Sequence, residues 1–378
     1  MKRLLSPFVL VLSALLGAAY AYATWRLVDS LLSAAMLAVP FVLVWLVPVV
    51  YWVYERENHA WADDLLHAAS YLAMGWLNFV LLLSLARDAL LWLSAGAAPR
   101  LHAGLDAAGA TVVYWGAAAA LGVGALAALR GPHVRHVDIP LADLPAEWEG
   151  LRIVQISDLH VGPTIGAAYV RRVVGMSNAL APDLVALTGD IVDGTVARLA
   201  QGVAPLADLV AKEGVFLVLG NHDYYSGAGP WVKQFAALGL LVLRNEFRLI
   251  QRGSARLVVG GVTDPAAHLD VPPQLPQPAL AAAHAAGPAV RLLLAHHPKL
   301  APLAEQAGFD LQLSGHTHAG QFFPWTLAVR LVHAPHVAGL SRRGRLWVYV
   351  SAGTGTWGPP VRLGTRPELT LLRLVRAA

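Results

Sequence analysis

The chain has 378 residues, 56% of them hydrophobic and only 14% charged, against roughly 45–50% and 25% in ordinary soluble domains. Its net charge of +4 is spread along the chain and not gathered into a basic stripe, which argues against nucleic-acid binding. There is no cysteine, so disulfides and thiolate-held metals are excluded, and any metal must be bound by His, Asp, Glu or Asn.

Four apolar stretches come first, at about residues 5–23, 31–53, 67–86 and 107–129. Each has about the 20 residues that carry a helix across a bilayer. Arg26, Asp29, Arg87 and Asp88 stand between or beside them, and Tyr22, Trp25, Trp61 and Trp92 stand near span ends, where a bilayer interface would lie. Residues 1–132 are therefore predicted to form an all-α transmembrane bundle of about four helices. The opening "MKR", the apolar run and "AYAYA" also resemble a secretory signal with a cleavage site at Ala21–Ala23, which would leave three spans. Either way the remainder is expected on the cytoplasmic side. Lys2, Arg3, Arg56, Arg130 and Arg135 then lie inside, against Arg26, Arg87 and Arg100 outside.

After the connector "RGPHVRHVDIPLADLPAEWEG" come short runs rich in Val, Leu and Ile: "LRIVQIS", "DLVALTG", "VFLVLG", "ARLVVGGV", "VRLLLAH", "FDLQLSG", "LWVYVSAG" and "LTLLRLV". They read as buried strands. Helix-compatible segments such as "GAAYVRRVVGMSNALA" lie between several of them, which predicts an α/β domain over residues 133–378. Such sheets bind ligands beyond the carboxyl ends of their strands.

Those ends carry Asp158 and His160, then Asp190, then Asn221, His222 and Asp223, then His296 and His297, then His316 and His318. Singly, a Gly-Asp turn or a lone histidine is ordinary. Recurring at successive strand ends, they point to a bound metal centre. Two ions about 3.5–4 Å apart would share so many ligands more naturally than one, with Asp190, central in the order, as the bridge. Mixed imidazole, carboxylate and amide ligation suits Mn, Fe or Zn better than an oxygen-only Ca or Mg cage. Two such cations would polarise a phosphoryl group and ready a water to attack at neutral pH, so the expected chemistry is hydrolysis.

The ordered set D-x-H, G-D, G-N-H-D, H and G-H-x-H resembles the calcineurin-like metallophosphoesterase superfamily across residues 148–378. "GHTHAGQ" and the tail "SAGTGTWGPPVRLGTRPELTLLRL" resemble its bacterial membrane-attached branch more narrowly. Phosphodiesterases occur there, as do enzymes that cleave the pyrophosphate of a UDP-linked diacylglucosamine. The resemblance implies a four-layer α/β/β/α sandwich with a dinuclear centre. One divalent ion would take Asp158, His160, Asp190 and His318, and the other Asp190, Asn221, His296 and His316. Of the two histidines in "AHHP", His296 is chosen because the family's ligand stands two residues before the proline. His222 would be the general acid, oriented by Asp223. Arg362 could hold a substrate phosphate or be a structural arginine. "QFFPWTLAVRLVH", Gln321–His333, could be core or a surface that meets a bilayer or an acyl chain.

The expected protein is a multi-pass hydrolase of the bacterial inner membrane, in contact with membrane lipids. It would cleave a phosphodiester or pyrophosphate bond in a lipid-linked or nucleotide-linked substrate. Its alternatives are a phosphoesterase of soluble substrates that the helices merely anchor, and a membrane scaffold or sensor with a vestigial metal site.

Overall fold

A computed structural model describes residues 7–47, 61–278 and 289–377. The start of the first expected span and the end of the second lie outside these residues. The chain divides into a helical unit, which takes in 1–129 and Gly358–Leu363, and an α/β unit formed by Arg130–Trp357 and Gly364–Ala378.

The helical unit contains α1 (Pro7–Leu27), α2 (Leu31–Val47), α3 (Trp61–Ala97) and α4 (Pro99–Leu129). Among the described residues two helical stretches, Ala62–Ala97 and Pro99–Leu129, are long and apolar enough to cross a membrane, and Leu31–Val47 is a shorter apolar helix. The last two helices extend well beyond the stretches expected at 67–86 and 107–129. The polar-looking "RDALLWLSAGAAPRLHAGLD" is helical on both sides of Ala98, with Pro99 standing first in α4, where its missing N–H costs nothing. Arg26 at the end of α1 holds both carboxylate oxygens of Asp88 in α3 at 2.6 Å, and Tyr22 donates to the same carboxylate at 2.7 Å. Asp88 is thus a helix–helix tie. The segment Gly358–Leu363 packs against α4 at Gly124, where an added Cβ would stand 2.4 Å from Val361.

In the α/β unit, strands β1 (His133–Leu141), β2 (Arg152–Ile156), β3 (Leu184–Thr188), β4 (Val215–Val218), β5 (Leu241–Val242) and β12 (Glu368–Arg376) form one sheet, ordered β1-β12-β2-β3-β4-β5. The second sheet, β10-β11-β9-β8-β7-β6, is built from β6 (Glu246–Arg252), β7 (Ala255–Gly261), β8 (Ala289–Leu294), β9 (Leu311–Ser314), β10 (Gly339–Arg343) and β11 (Leu346–Val350). Alternation along each strand sets the layers. Ile153, Leu184, Ala186, Phe216 and Val218 of the first sheet share one core with Leu257, Val259, Leu292, Leu294, Leu311 and Leu313 of the second. The intervening residues Val154, Ile156, Val185, Leu187 and Leu217 face the other way. They pack with Val170, Val173 and Val174 of the helix Ala167–Ala179 and with Trp231 and Phe235 of the helix Ala228–Ala237. Leu293, Val348 and Val350 do the same on the outside of the second sheet, with Ala301 and Ala304 of the helix Ala301–Gln306. The result is helix on sheet on sheet on helix, as the resemblance implied.

Parallel pairing puts the strand ends side by side. Ile156 is paired with Leu187 and Thr188 with Val218 in the first sheet, and Leu294 with Leu313 in the second. Gln155 then bridges the sheets just below these ends, its Nε2 donating to Thr188 Oγ1 and to the Ser314 carbonyl, both at 2.9 Å.

Candidate metal centre

Asp158 and His160 follow β2, Asp190 follows β3, Asn221 follows β4, His296 follows β8, and His316 and His318 follow β9. The loops are stitched together by their backbones. Asp158 N–H donates to the Gly189 carbonyl at 2.9 Å, His160 N–H to Asp190 at 3.0 Å and Gly315 N–H to His296 at 3.0 Å. Asp158, His160, Asp190, His316 and His318 all have φ between 50° and 72°. Non-glycine residues in this region cost of order 1–3 kcal/mol each and persist only where the surroundings enforce them, typically at functional sites. The neighbouring glycines make the close approach possible. A Cβ on Gly220 would stand 2.2 Å from Asp190 Oδ1, and one on Gly315 would stand 2.0 Å from Ser157 Oγ.

The side chains converge as two adjoining groups. In the first, His160 Nε2 lies 3.0 Å from His318 Nε2, and His318 Nε2 lies 3.4 Å from Asp158 Oδ1. In the second, His296 Nε2 lies 3.1 Å from Asp190 Oδ2, while His316 Nδ1 lies 3.0 Å from Asn221 Oδ1 and 3.3 Å from His296 Nε2. Asp190 Oδ2 is also 3.8 Å from His160 Nε2, so this carboxylate stands between the groups. His297, by contrast, stacks on His316 with ring centroids 4.2 Å apart and caps the turn at Pro298–Leu300, its Nδ1 accepting from Lys299 N–H at 3.2 Å.

These residues fit a metal. Ligand bonds of about 2.0–2.2 Å place neighbouring donor atoms about 3 Å apart, the spacing seen here. His160 Nδ1 is tied to Asp193 at 3.0 Å and His296 Nδ1 to the Thr188 carbonyl at 2.8 Å, leaving Nε2 of each as the ligating nitrogen, the arrangement that orients metal-binding histidines elsewhere. Asp158 Oδ2 is buried and has no hydrogen-bond partner among the described residues, as expected of an oxygen reserved for a cation.

Burial and charge act together on this cluster. Burial pushes the Asp158 carboxyl up, with the Asp190 charge adding to the effect. Burial works against a charge on His160, yet Asp193, Asp190 and Asp158 outweigh it and lift the imidazole to about 9. His316 goes the other way, to about 2, through burial and the neighbouring His296 and His297.

Asp193 was not singled out from the sequence. Its Oδ1 sits 2.8 Å from His222 Nδ1 and 3.0 Å from His160 Nδ1, so one carboxylate orients both rings. The expectation that Asp223 orients His222 is corrected. The Asp223 carboxylate accepts the backbone N–H groups of Gly220, Ile191 and Val192 at 2.8–3.1 Å and braces the loops instead. Burial, then the Asp190 charge, raises its carboxyl to about 7. The only sequence signal for Asp193 is its place three residues after Asp190 in "GDIVDG". Tyr225 and Trp357 also escaped notice, and their rings pack edge-on to His222 at 5.6 and 5.7 Å. Arg362 is grouped with the helical unit, where it is buried and its N–H donates to the Gly124 carbonyl at 2.9 Å.

Two packed sheets whose aligned strand ends gather imidazoles and carboxylates define an α/β metal-binding protein. Residues 151–320 match the calcineurin-like phosphoesterase family. An uncharacterized metallophosphoesterase of Aquifex aeolicus is 31% identical over 252 residues, covering 64% of this chain and 91% of that protein. The chain belongs to the calcineurin-like metallophosphoesterase family, whose members bind divalent metal. A transmembrane protein with metallophosphoesterase domain of Danio rerio is 36% identical over 269 residues, and one of Bos taurus is 38% identical over 273. Those matches take in 67% and 68% of this chain but 60% of each relative, so the chain spans less than two thirds of their length. Relatives with that name and two membrane-length helices point to membrane association.

Proposed function

We propose that the chain is a membrane-anchored phosphoesterase with a dinuclear metal centre, acting on a phosphodiester or pyrophosphate bond. The observation that carries this reading is the pair of ligand groups meeting at Asp190, with His222 beside them. Asp158, His160, Asp190 and His318 would hold one divalent ion, and Asp190, Asn221, His296 and His316 the other. Bound there, the ions would polarise the phosphoryl group and make a water nucleophilic near neutral pH.

The rest is done by the chain. Asp193 holds His222 through Nδ1, so Nε2 is the nitrogen left to give a proton to the leaving oxygen. Tyr225 and Trp357 flank that ring and limit its rotation. Asp193 also fixes His160, so the acid and one metal ligand share a single support. Asp223 keeps the β3 and β4 loops in register, which sets Asn221 and Asp190 against each other.

The test uses the full chain in nanodiscs loaded with Mn²⁺. Hydrolysis of a diester is expected to fall about 10²-fold or more in His222→Ala, the scale of general-acid loss, with metal content unchanged. Asp193→Asn should lower turnover similarly and flatten its pH profile. Wild-type turnover by both variants would sink the mechanism. A lipid-linked substrate is favoured over a soluble one by the membrane-length helices in the same chain. Turnover of soluble diesters alone, with a UDP-linked diacyl lipid left intact, would leave the helices as an anchor only.

A further inference from the structure

The segment between the last predicted ligand and β10 contains the helix Trp325–His333, none of whose side chains is buried. Four of its residues are half-buried, Thr326, Ala328, Val329 and His333, and three of them, Thr326, Val329 and His333, recur at three- and four-residue spacing on one side. That side faces the metal centre, with the His333 ring 5.3 Å from His316 and 5.5 Å from His297. The opposite side is apolar and bare: Leu331 is 90% exposed, Val332 58%, Trp325 54% and Leu327 53%, with Phe323 just before them at 42%. A surface helix ordinarily turns its apolar stripe inward. Here the polar Thr326 and His333 are turned inward with Val329, while Leu331, Val332, Trp325 and Leu327 stay exposed among the described residues. The surface continues toward the acid. The Gln321 side chain donates to the Trp357 carbonyl and accepts the Trp357 N–H, both at 2.8 Å, and the half-exposed Trp357 ring packs on His222.

We propose that the helix Trp325–His333, with Phe323, is an interfacial element that seats its apolar side in the headgroup–acyl boundary of the bilayer. Two features select a lipid surface as the occupant. Aromatic and branched aliphatic residues on one side, with the exposed Arg330 beside them, form the pattern of helices that lie in the membrane plane. A bilayer would also be close at hand, because only Arg130–Pro132 separate the long apolar helix α4 from β1. The proposal goes beyond the hydrolase reading and rests on the membrane reading of the helical unit. A substrate drawn from the lipid phase would then reach the metal centre without crossing water.

The cysteine-free sequence allows a clean test. Single variants Leu331→Cys, Leu327→Cys, Leu126→Cys in α4 and Arg345→Cys, whose native side chain is 84% exposed, would each carry an environment-sensitive fluorophore in the full chain, in nanodiscs. Brominated acyl chains are expected to quench the labels at 331, 327 and 126 several-fold more than the label at 345, and aqueous iodide to do the reverse. Iodide quenching at 331 and 327 equal to that at 345, with 126 quenched by bromine, would overturn the proposal alone. Failure at 126 as well would overturn the membrane reading, and the proposal with it. Labels at 331 and 327 shielded from both quenchers and quenching each other would mean that a second copy covers this side, which also overturns it. No step of the readout depends on turnover.

Discussion

The two sheets bring different chemistry to the metal centre. The loops after β2, β3 and β4 supply the oxygens of Asp158, Asp190 and Asn221 with one imidazole, His160, and they also carry His222 and its partner Asp193. The loops after β8 and β9 supply imidazoles only, from His296, His316 and His318. Each of the adjoining groups mixes the two, as His318 stands against Asp158 and His160, and His296 against Asp190. The two adjoining groups at Asp158 and Asp190 each draw on both sheets, so this candidate centre lies at the seam. Whatever keeps the sheets in register keeps these side chains together.

The largest expected effect comes from Asp190, the residue proposed to serve both groups. Asp190→Asn should release metal from both positions and cut hydrolysis by about 10³-fold or more, as expected when several kcal/mol of charge stabilisation are lost. His316→Ala should release one ion and leave the other. Metal content and turnover measured on the same samples separate these outcomes, and equal metal loss in both variants would argue against Asp190 as the shared ligand.

A smaller effect is expected from prying the seam without removing a ligand. Gly315→Ala adds a methyl 2.0 Å from Ser157 Oγ and 2.2 Å from Asp158 Oδ2, across the two sheets. Overpacking of this kind costs about 1–3 kcal/mol, so denaturant midpoints should fall and metal be held more weakly. Unchanged values for both would mean that the loops can part freely.

The smallest effect lies at the opposite ends of the strands. Asp183, just before β3, accepts Arg152 N–H at 2.9 Å and pairs with Lys212 at 3.1 Å and with Arg252, the last residue of β6 in the other sheet, at 3.3 Å. Burial opposes its charge, but these donors hold the carboxyl below its usual range. A depressed carboxyl stabilises the fold above the unfolded-state value and loses that contribution as pH falls through the folded one. Asp183→Asn should therefore lower stability near neutral pH and make it less steep between about pH 4 and lower values, with metal content intact. An unaltered acid limb would remove Asp183 from the seam.

Much of the candidate site is legible because Asp158, Asp190, His296 and His316 each stand two residues after the end of an apolar strand. A buried strand fixes where its end must be, and parallel strands bring such ends together. Asp193 was harder to read. It follows Ile191 and Val192 in a loop with no periodicity to reveal its direction, and its partners His160 and His222 come from other loops. Asp223 looked like the orienting group because it is next to His222. A side chain at the third position of a short helix instead reaches back to the N–H before the helix, here that of Gly220. Gln321–His333 leaves core and surface both open, with core the favoured reading, since an apolar helical stripe reads the same whether it points in or out. Its placement depends on His333 and Thr326 packing inward.

The sequence by itself determined the kinds of ligand, their order along the chain and the alternation that makes two sheets share a core, because hydrophobic periodicity and strand-end chemistry are local properties. Only the tertiary structure decided which carboxylate stands against His222 and which side of Trp325–His333 is left bare. Those choices depend on distances between residues far apart in the chain, and only packing the two sheets against each other sets such distances.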